Sequence, residues 1–273
     1  MKKRLSLAVV MILFGSFLIA GCGSSGSDDT NVFRVGMEAD YPPFNWTQVT
    51  ADNGGAKIDG SPEYAGGYDV EIAKRIAKGL GKELVIVKTE WDGLTPSLTS
   101  GKIDAIIAGM SPTENRKLTI DFSDNYYESD LVIVVKSGSE YENATSIQDF
   151  SGAKITAQLN TFHYEVIDQI NGVVKETAMD NFPAMRVALQ SGFIDGYVSE
   201  RPEGVSAESA NKDFKMVEFR EGFITSPDDT SIAVGVKKDS PLTAKINEIL
   251  KGISAEERLR IMDDAIKNQP TSN

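Results

Sequence analysis

From Val32 onward, short β-branched apolar runs alternate with segments whose apolar residues recur every three or four positions, and the alternation occurs twice along the chain. In the first set, strands are expected at 32–36, 83–88 and 103–108. Helices are expected at 69–78, where Ile72, Ala73, Ile76, Ala77 and Leu80 share a face closed by Gly79 and Gly81, and at 92–100. In the second set, which starts after the run Asp130 to Lys136, strands at 154–157, 173–177 and 193–198 enclose helices at 162–169 and 182–191. A strand at 231–236 precedes Asp239-Ser240-Pro241, a helix-start signal, then two C-terminal helices and a frayed end over 268–273. Strands that alternate with helices of this length run parallel and are joined by helical crossovers, so the expected class is α/β, built twice. No fixed-period sequence repeat accompanies the doubling, so the duplication is of architecture only.

The chain has 273 residues, enough for one large or two modest domains at roughly 150 residues each. Forty acidic residues against 28 Lys and Arg give a net charge of -12, which argues against a general affinity for nucleic acid. One Cys and one His exclude a Cys/His zinc cage, while a carboxylate-only metal site stays open. Neither a metal nor a cofactor is expected.

The first residues read as a targeting segment. Lys2, Lys3 and Arg4 precede an apolar run from Leu5 to Ala20, about 16 residues and short for a membrane span of about 20. The run ends in Leu18-Ile19-Ala20-Gly21-Cys22, which resembles a bacterial lipobox. That resemblance implies a signal peptide over 1–21, cleavage before Cys22 and lipid attachment to its thiol. An ordinary signal peptide with an unused Cys, or an uncleaved anchor, are the alternatives. Cleavage removes three positive charges and takes -12 to -15. Residues 22–31 are small and polar and read as a flexible tether, reaching about 15–20 Å.

Ligands of open α/β sheets bind beyond the carboxyl ends of the strands, so those ends hold the candidate chemistry. The first is Gly36-Met37-Glu38-Ala39-Asp40-Tyr41-Pro42-Pro43-Phe44, and Glu90-Trp91-Asp92-Gly93 places an indole at a loop tip. The third is Ala108-Gly109-Met110-Ser111-Pro112-Thr113-Glu114-Asn115-Arg116. Here Ser111 is expected to cap a helix, with Pro112 in its first turn and Glu114 completing a capping box. Free N–H groups at such a start favour an anion, Gly109 admits close approach to the backbone, and Arg116 adds a fork matched to a carboxylate. An ordinary capped helix with a solvated Arg is the alternative. The fourth end carries Glu200, which is either functional, a solvated loop acid or a partner of Arg201.

Five motifs occur in a fixed order. They are Gly36-x-Glu38-x-x-Tyr41-x-Pro43-Phe44; Gly67-Tyr68-Asp69-Val70-Glu71-Ile72-Ala73; Trp91-Asp92-Gly93-Leu94; Gly101-Lys102-Ile103-Asp104-Ala105; and Gly109-Met110-Ser111-Pro112-Thr113-x-x-Arg116. Together they resemble the polar amino-acid-binding proteins of ABC importers, the family 3 extracellular solute-binding proteins, over about residues 32–265. The resemblance implies a two-lobed periplasmic-binding-protein-like fold of type II, each lobe a mostly parallel sheet flanked by helices, joined by two hinge crossings. It implies lobe 1 over 32–127 plus 229–273, lobe 2 over 132–218, and hinges near 128–131 and 219–228. Arg116 corresponds to the family's carboxylate-binding arginine, with Ser111, Met110 and Gly109 beside it. Gln158-Leu159-Asn160-Thr161 matches the second-lobe helix start, so Thr161, followed by Phe162, adds to the carboxylate site. Asn160 replaces the usual Gly, and Asn tolerates left-handed backbone. Glu200 matches the ammonium-binding acid, ordinarily Asp, and Tyr41 and Trp91 correspond to aromatic walls. The longer stretch 46–65 has no assigned role.

A zwitterionic amino acid needs a fixed cation at one end and a fixed anion at the other, because burying either charge unpaired is costly. Arg116 and Glu200 come from different halves, so full pairing requires the halves to close on each other. With Glu38 and Asp40 near the side-chain pocket, arginine, lysine, ornithine or histidine is the expected ligand, and glutamine or another neutral polar amino acid the alternative. The expected partners are that ligand, an ABC permease and its ATPase; the protein is expected to be a monomer, lipid-anchored on the extracytoplasmic face of the cell membrane. The fold also serves as an exported cyclohexadienyl dehydratase and as a receptor sensor. An enzyme needs a positioned acid or base, and the only histidine, His163, reads as a surface or pocket-rim residue. A sensor needs a membrane span and signalling domain, which are not expected here.

Overall fold

The computed structural model describes residues 31–270. The signal peptide, Cys22 and the tether as far as residue 30 lie outside the described residues, as do residues 271–273. In chain order the elements are β1 (Val32–Met37), β2 (Asp40–Tyr41), β3 (Asn45–Gln48), β4 (Ala56–Lys57), β5 (Tyr64–Gly66) and α1 (Tyr68–Leu80). Then come β6 (Glu83–Lys88), α2 (Trp91–Ser100), β7 (Ala105–Ile106), α3 (Glu114–Lys117) and the long β8 (Ile120–Glu128). The middle of the chain holds β9 (Leu131–Lys136), β10 (Lys154–Thr156), α4 (Phe162–Glu165), β11 (Val174–Lys175) and α5 (Phe182–Ser191). It continues through β12 (Gly196–Glu200), α6 (Arg201–Ala210) and β13 (Phe214–Val217). Last are β14 (Ser231–Lys237), α7 (Leu242–Lys251) and α8 (Ala255–Asn268).

These form two five-stranded sheets, ordered β6-β1-β7-β14-β8 and β11-β10-β12-β9-β13. Each contains three parallel strands extended on one side by two antiparallel ones. The antiparallel strands belong to the crossings: β8 leaves the first sheet for β9 of the second, and β13 returns to β14 of the first. The two crossings run side by side, with the Ser129 amide donating to the Thr230 carbonyl at 3.0 Å. The result is a two-lobed α/β fold, one sheet per lobe, flanked by helices.

Local sequence explains the elements that position the site. In α1 the apolar residues Ile72, Ala73, Ile76 and Ala77 are all buried, and Gly81, at φ 67°, ends the helix by returning its N–H to Ala77 and Lys78. In α5 the Asn181 side chain accepts from the Ala184 amide, Pro183 fits the first turn, and Gly192 at φ 77° stops the helix. The stretch without a sequence-based role, together with β2, forms a four-stranded antiparallel sheet ordered β2-β3-β5-β4. It holds the loop after β1 in place. Asn45 donates to the buried Asp69 carboxyl at 2.8 Å and accepts from the Ala39 amide at 2.8 Å. Tyr126 donates to the other Asp69 oxygen at 2.7 Å, and burial pushes that carboxyl up to about 7.

Three elements differ from the sequence reading or were not assigned by it. The helix expected at 162–169 is one turn of α4 followed by a 3₁₀ turn over Val166–Gln169. The strand β8 carries exposed polar residues such as Asp124 and Glu128, so its composition hides it; its ladder with β14 defines it. The segment after Glu200 is the helix α6, with Pro202 in its first turn. Beyond α8, Gln269 is buried against α6 of the second lobe, where its amide donates to the Ser206 carbonyl at 3.3 Å and its oxygen accepts from the Ser206 hydroxyl. Among the described residues no helix is long and apolar enough to cross a membrane.

Candidate functional site

The two lobes meet where the carboxyl ends of β1, β7 and β12 face the start of α4. Tyr41 reaches furthest across the gap. Its hydroxyl donates to Glu200 Oε2 at 3.0 Å, and its ring stacks on Phe182 with centroids 4.2 Å apart and planes 3° apart. The ring also lies on Gly109, which stands at φ 61° and whose missing Cβ would fall 2.6 Å from Tyr41 Cε1. The close approach that Gly109 permits is therefore used by the Tyr41 ring.

Arg116 is half-buried and its guanidinium is held on three sides. Nη1 donates to the Ser111 carbonyl at 2.9 Å, Nη2 donates to the Asn160 carbonyl at 3.2 Å, and the group lies 4.9 Å over the Trp91 ring. Burial lowers it to about 10, against the opposing pull of Glu165, Glu200 and Asp229, so it stays charged at neutral pH. Among the described residues it has no carboxylate within ion-pair distance. A cation fixed by neutral carbonyls and an indole is prepared for an anion from elsewhere.

The cap expected at Ser111 is not formed. Thr113 is the residue before α3 and accepts from the Arg116 amide through its side chain at 3.4 Å, and α3 is only four residues long. Ser111 is buried with its carbonyl bonded to the Arg116 side chain, so it shapes the cation and not the helix start. Asn160 does adopt the left-handed backbone its substitution for Gly requires, at φ 56°, and its side chain donates to Asp92 at 2.8 Å.

Glu38 is 4% exposed and accepts from the Gln158 amide at 2.9 Å. Burial pushes its carboxyl up to about 8, the Gln158 bond works against this, and Asp40, Glu90 and Asp92 add to it. Glu200 is 1% exposed, and neither a solvated loop acid nor a partner of Arg201, whose side chain pairs with Glu218 at 2.6 Å. The Thr161 hydroxyl donates to the Gln158 carbonyl at 2.7 Å.

Between these groups lies a small cavity of about 10 Å³, the size of about one water. Tyr41, Trp91, Gly109, Ser111 and Arg116 wall it from the first lobe, and Gln158, Thr161, Phe162 and His163 from the second. Seven of the ten sequence-derived ligand-binding candidates thus share one enclosure. Glu200 and Glu38 stand behind it, bonded to Tyr41 and Gln158. Met110 does not join it: its side chain is 2% exposed in the first-lobe core, and its carbonyl accepts from the Ala233 amide at 3.1 Å. Met110 turns inward where its neighbours Gly109 and Ser111 line the gap. Sequence reasoning missed Gln158, although it lies in the quoted helix-start motif, and placed His163 at a surface or rim where the structure buries it at 6% exposure.

A larger groove of about 600 Å³ runs between Pro42 and Trp46 of the first lobe and Phe182, Pro183 and Phe214 of the second. It lacks paired binding chemistry, because its one arginine, Arg186, is committed to buried Glu203 at 2.8 and 3.0 Å. Among the described residues no three His, Cys, Asp or Glu stand close enough to hold a metal ion.

Known proteins share this organisation. The arginine-binding extracellular protein ArtP of Bacillus subtilis is 29% identical over 271 residues, covering 92% of each chain. The ABC transporter glutamine-binding protein GlnH of the same organism is 30% identical and covers 99% of each chain. The crystal structure of an amino acid ABC transporter substrate-binding protein, AbpA, from Streptococcus pneumoniae bound to L-arginine superposes with a TM-score of 0.75 at 26% identity, covering 87% of this chain and 95% of that one. The model of the bacterial extracellular solute-binding proteins, family 3, matches residues 33–265, and the chain belongs to that family: it is a solute-binding protein and not an enzyme.

Proposed function

We propose that this chain captures a polar amino acid outside the cell and delivers it to the permease and ATPase of an ABC importer, and that its ligand is cationic: arginine, lysine, ornithine or histidine. The observation that carries the reading is the pairing of opposites across the gap, a half-buried Arg116 without a carboxylate partner among the described residues on one lobe and buried Glu200 on the other. Those two groups match the carboxylate and ammonium ends of a zwitterion, with Thr161, Ser111 and the Gly109 backbone beside the carboxylate end. The cavity is far smaller than an amino acid, so entry requires the lobes to part and Tyr41 to yield. The adjacent crossings near 128–131 and 219–228 serve as the hinge between lobe 1 (32–127 and 229–273) and lobe 2 (132–218). Buried Glu38, without a protein cation among the described residues, supports a basic side chain; ArtP is an arginine-binding protein by name, and AbpA is seen bound to L-arginine.

One observation favours glutamine as a second reading. A carboxyl pushed up to about 8 holds its proton at neutral pH and can donate to an amide carbonyl, and GlnH is a glutamine binder by name. A thermal-shift screen of the twenty amino acids and ornithine, followed by calorimetry, separates the readings. A ligand at a hundred times its Kd raises native stability by about 2.7 kcal/mol, so arginine, lysine, ornithine or histidine should give a clear upward shift. Absence of any shift with every amino acid overturns the function.

The reading further includes lipid attachment at Cys22 and a monomeric protein tethered to the extracytoplasmic face of the membrane. Its support is the basic and apolar leader ending in Ile19-Ala20-Gly21-Cys22. Cys22→Ala is expected to abolish incorporation of radiolabelled palmitate and leave calorimetric binding unchanged. Equal labelling of parent and variant refutes the attachment.

A further inference from the structure

His163 is the chain's single histidine and stands in the first turn of α4, facing the cavity. Its ring is 6% exposed and packs on Phe162 with centroids 4.2 Å apart. Nε2 lies 3.4 Å from Glu200 Oε1, yet among the described residues neither ring nitrogen has a hydrogen-bond partner. A leucine or phenylalanine would fill the same space without burying two polar nitrogens, so packing alone does not account for a histidine here.

The geometry around Glu200 supplies the missing partner. Glu200 Oε2 already accepts from the Tyr41 hydroxyl, and Oε1 is the oxygen facing His163. An imidazole in the tautomer protonated on Nδ1 presents Nε2 as an acceptor, so Nε2 and Oε1 become two acceptors side by side with no donor between them. A group carrying several N–H donors and a positive charge satisfies both at once, and an ammonium, with three, is that group.

We propose that His163 contacts the ligand, its Nε2 accepting one N–H of the bound amino acid's α-ammonium while Glu200 Oε1 accepts another. This rests on the amino-acid reading above and adds to it a second acceptor at the ammonium end. The lone pair of an imidazole is directional, so His163 orients the ammonium about its C–N bond, and with it the α-hydrogen and side chain. Primary amines are favoured over Nα,Nα-dimethylated ones, which keep a single N–H for two acceptors.

The test is calorimetry of the wild type, His163→Leu and His163→Gln with L-arginine, L-glutamine and their Nα,Nα-dimethyl derivatives, each variant first checked for native circular dichroism. His163→Leu is expected to bind whichever parent amino acid the wild type binds about ten- to a hundredfold more weakly, the usual range for one charge-assisted hydrogen bond. His163→Gln, whose amide oxygen accepts, should recover most of that loss. The dimethyl penalty should be large in the wild type and smaller in His163→Leu, a change that a purely structural role would not produce. A folded His163→Leu with wild-type affinity and an undiminished dimethyl penalty overturns the inference and leaves the amino-acid reading standing. Should His163→Leu fail to fold, a wild type that binds the parent and dimethyl ligands equally overturns it instead. A wild type that binds none of the twenty amino acids overturns both.

Discussion

Arg116→Lys is expected to weaken amino-acid binding by about a hundredfold or more although the positive charge is kept. The guanidinium is committed on two nitrogens to the Ser111 and Asn160 carbonyls, at 2.9 and 3.2 Å, and stacked over Trp91 at 4.9 Å. Those contacts fix its plane and direct its remaining N–H groups into the cavity as a fork. An ammonium on a flexible stem can reach the carbonyls or the ligand carboxylate, and cannot do both in one geometry. Loss of two charge-assisted hydrogen bonds, at about 1.5–3 kcal/mol each, more than covers two decades of affinity at about 1.4 kcal/mol per decade. The ligand carboxylate would then be enclosed against an imperfect partner, which adds to the loss. No residue of α3 is fully buried and Arg116 stands outside both cores, so the variant should fold. Calorimetry with a ligand of the wild type decides the matter, and an unchanged Kd in a folded variant refutes the carboxylate clamp.

Where a local signal was complete, the sequence was enough. The face of α1 and the stop at Gly81 follow from spacing and from one glycine, and the bounds of α5 follow from Asn181, Pro183 and Gly192. Elements defined by a partner strand were not legible: β8 is polar on one face and exists through its ladder with β14. The cap before α3 shows the limit of motif reading. Ser111-Pro112-Thr113 offers two hydroxyl residues for one helix start; Thr113 takes the cap, while the Ser111 carbonyl accepts from the Arg116 side chain. The latter contact joins a backbone group to a side chain five residues on, which no spacing rule encodes. The same holds for the cavity. Resemblance placed Tyr41 and Trp91 as walls for a ligand, while the fold shows both also spanning the lobes, Tyr41 to Glu200 and Phe182 and the Trp91 indole to the Asn160 carbonyl. Contacts between segments more than a hundred residues apart, such as Glu38 with Gln158, join one lobe to the other and leave no local trace.

Glu38→Gln should separate the two ligand readings by their dependence on pH. Burial first, then the acids Asp40, Glu90 and Asp92, raise this carboxyl from 4.5 to about 8, although Gln158 donates to it. Between those two values the folded protein holds a proton that the unfolded chain releases. The stability owed to this group is therefore full below 4.5 and is lost as pH rises through about 8. A cationic side chain placed against Glu38 needs the ionised form, so binding of arginine or lysine must expel that proton at neutral pH. Affinity for such a ligand should climb with pH, by up to about tenfold per unit, and level off above about pH 8. Calorimetry at one pH in two buffers of different ionisation enthalpy would register the released proton directly. In Glu38→Gln the slope disappears, the Gln158 contact can persist through the new amide oxygen, and arginine affinity above about pH 8 should fall by about a hundredfold because the ligand's charge is enclosed without a counter-ion. Glutamine makes no such demand: its affinity should stay level up to neutral pH and change by less than about threefold in the variant, the difference between amide and protonated carboxyl being small. A wild type whose arginine affinity is flat from about pH 6 to about pH 9, with no proton released, removes Glu38 as the partner of a cation. Tight glutamine binding in that same protein, with all four basic amino acids ignored, would assign the pocket to a neutral amide and leave the Arg116 and Glu200 ends of the site as they stand.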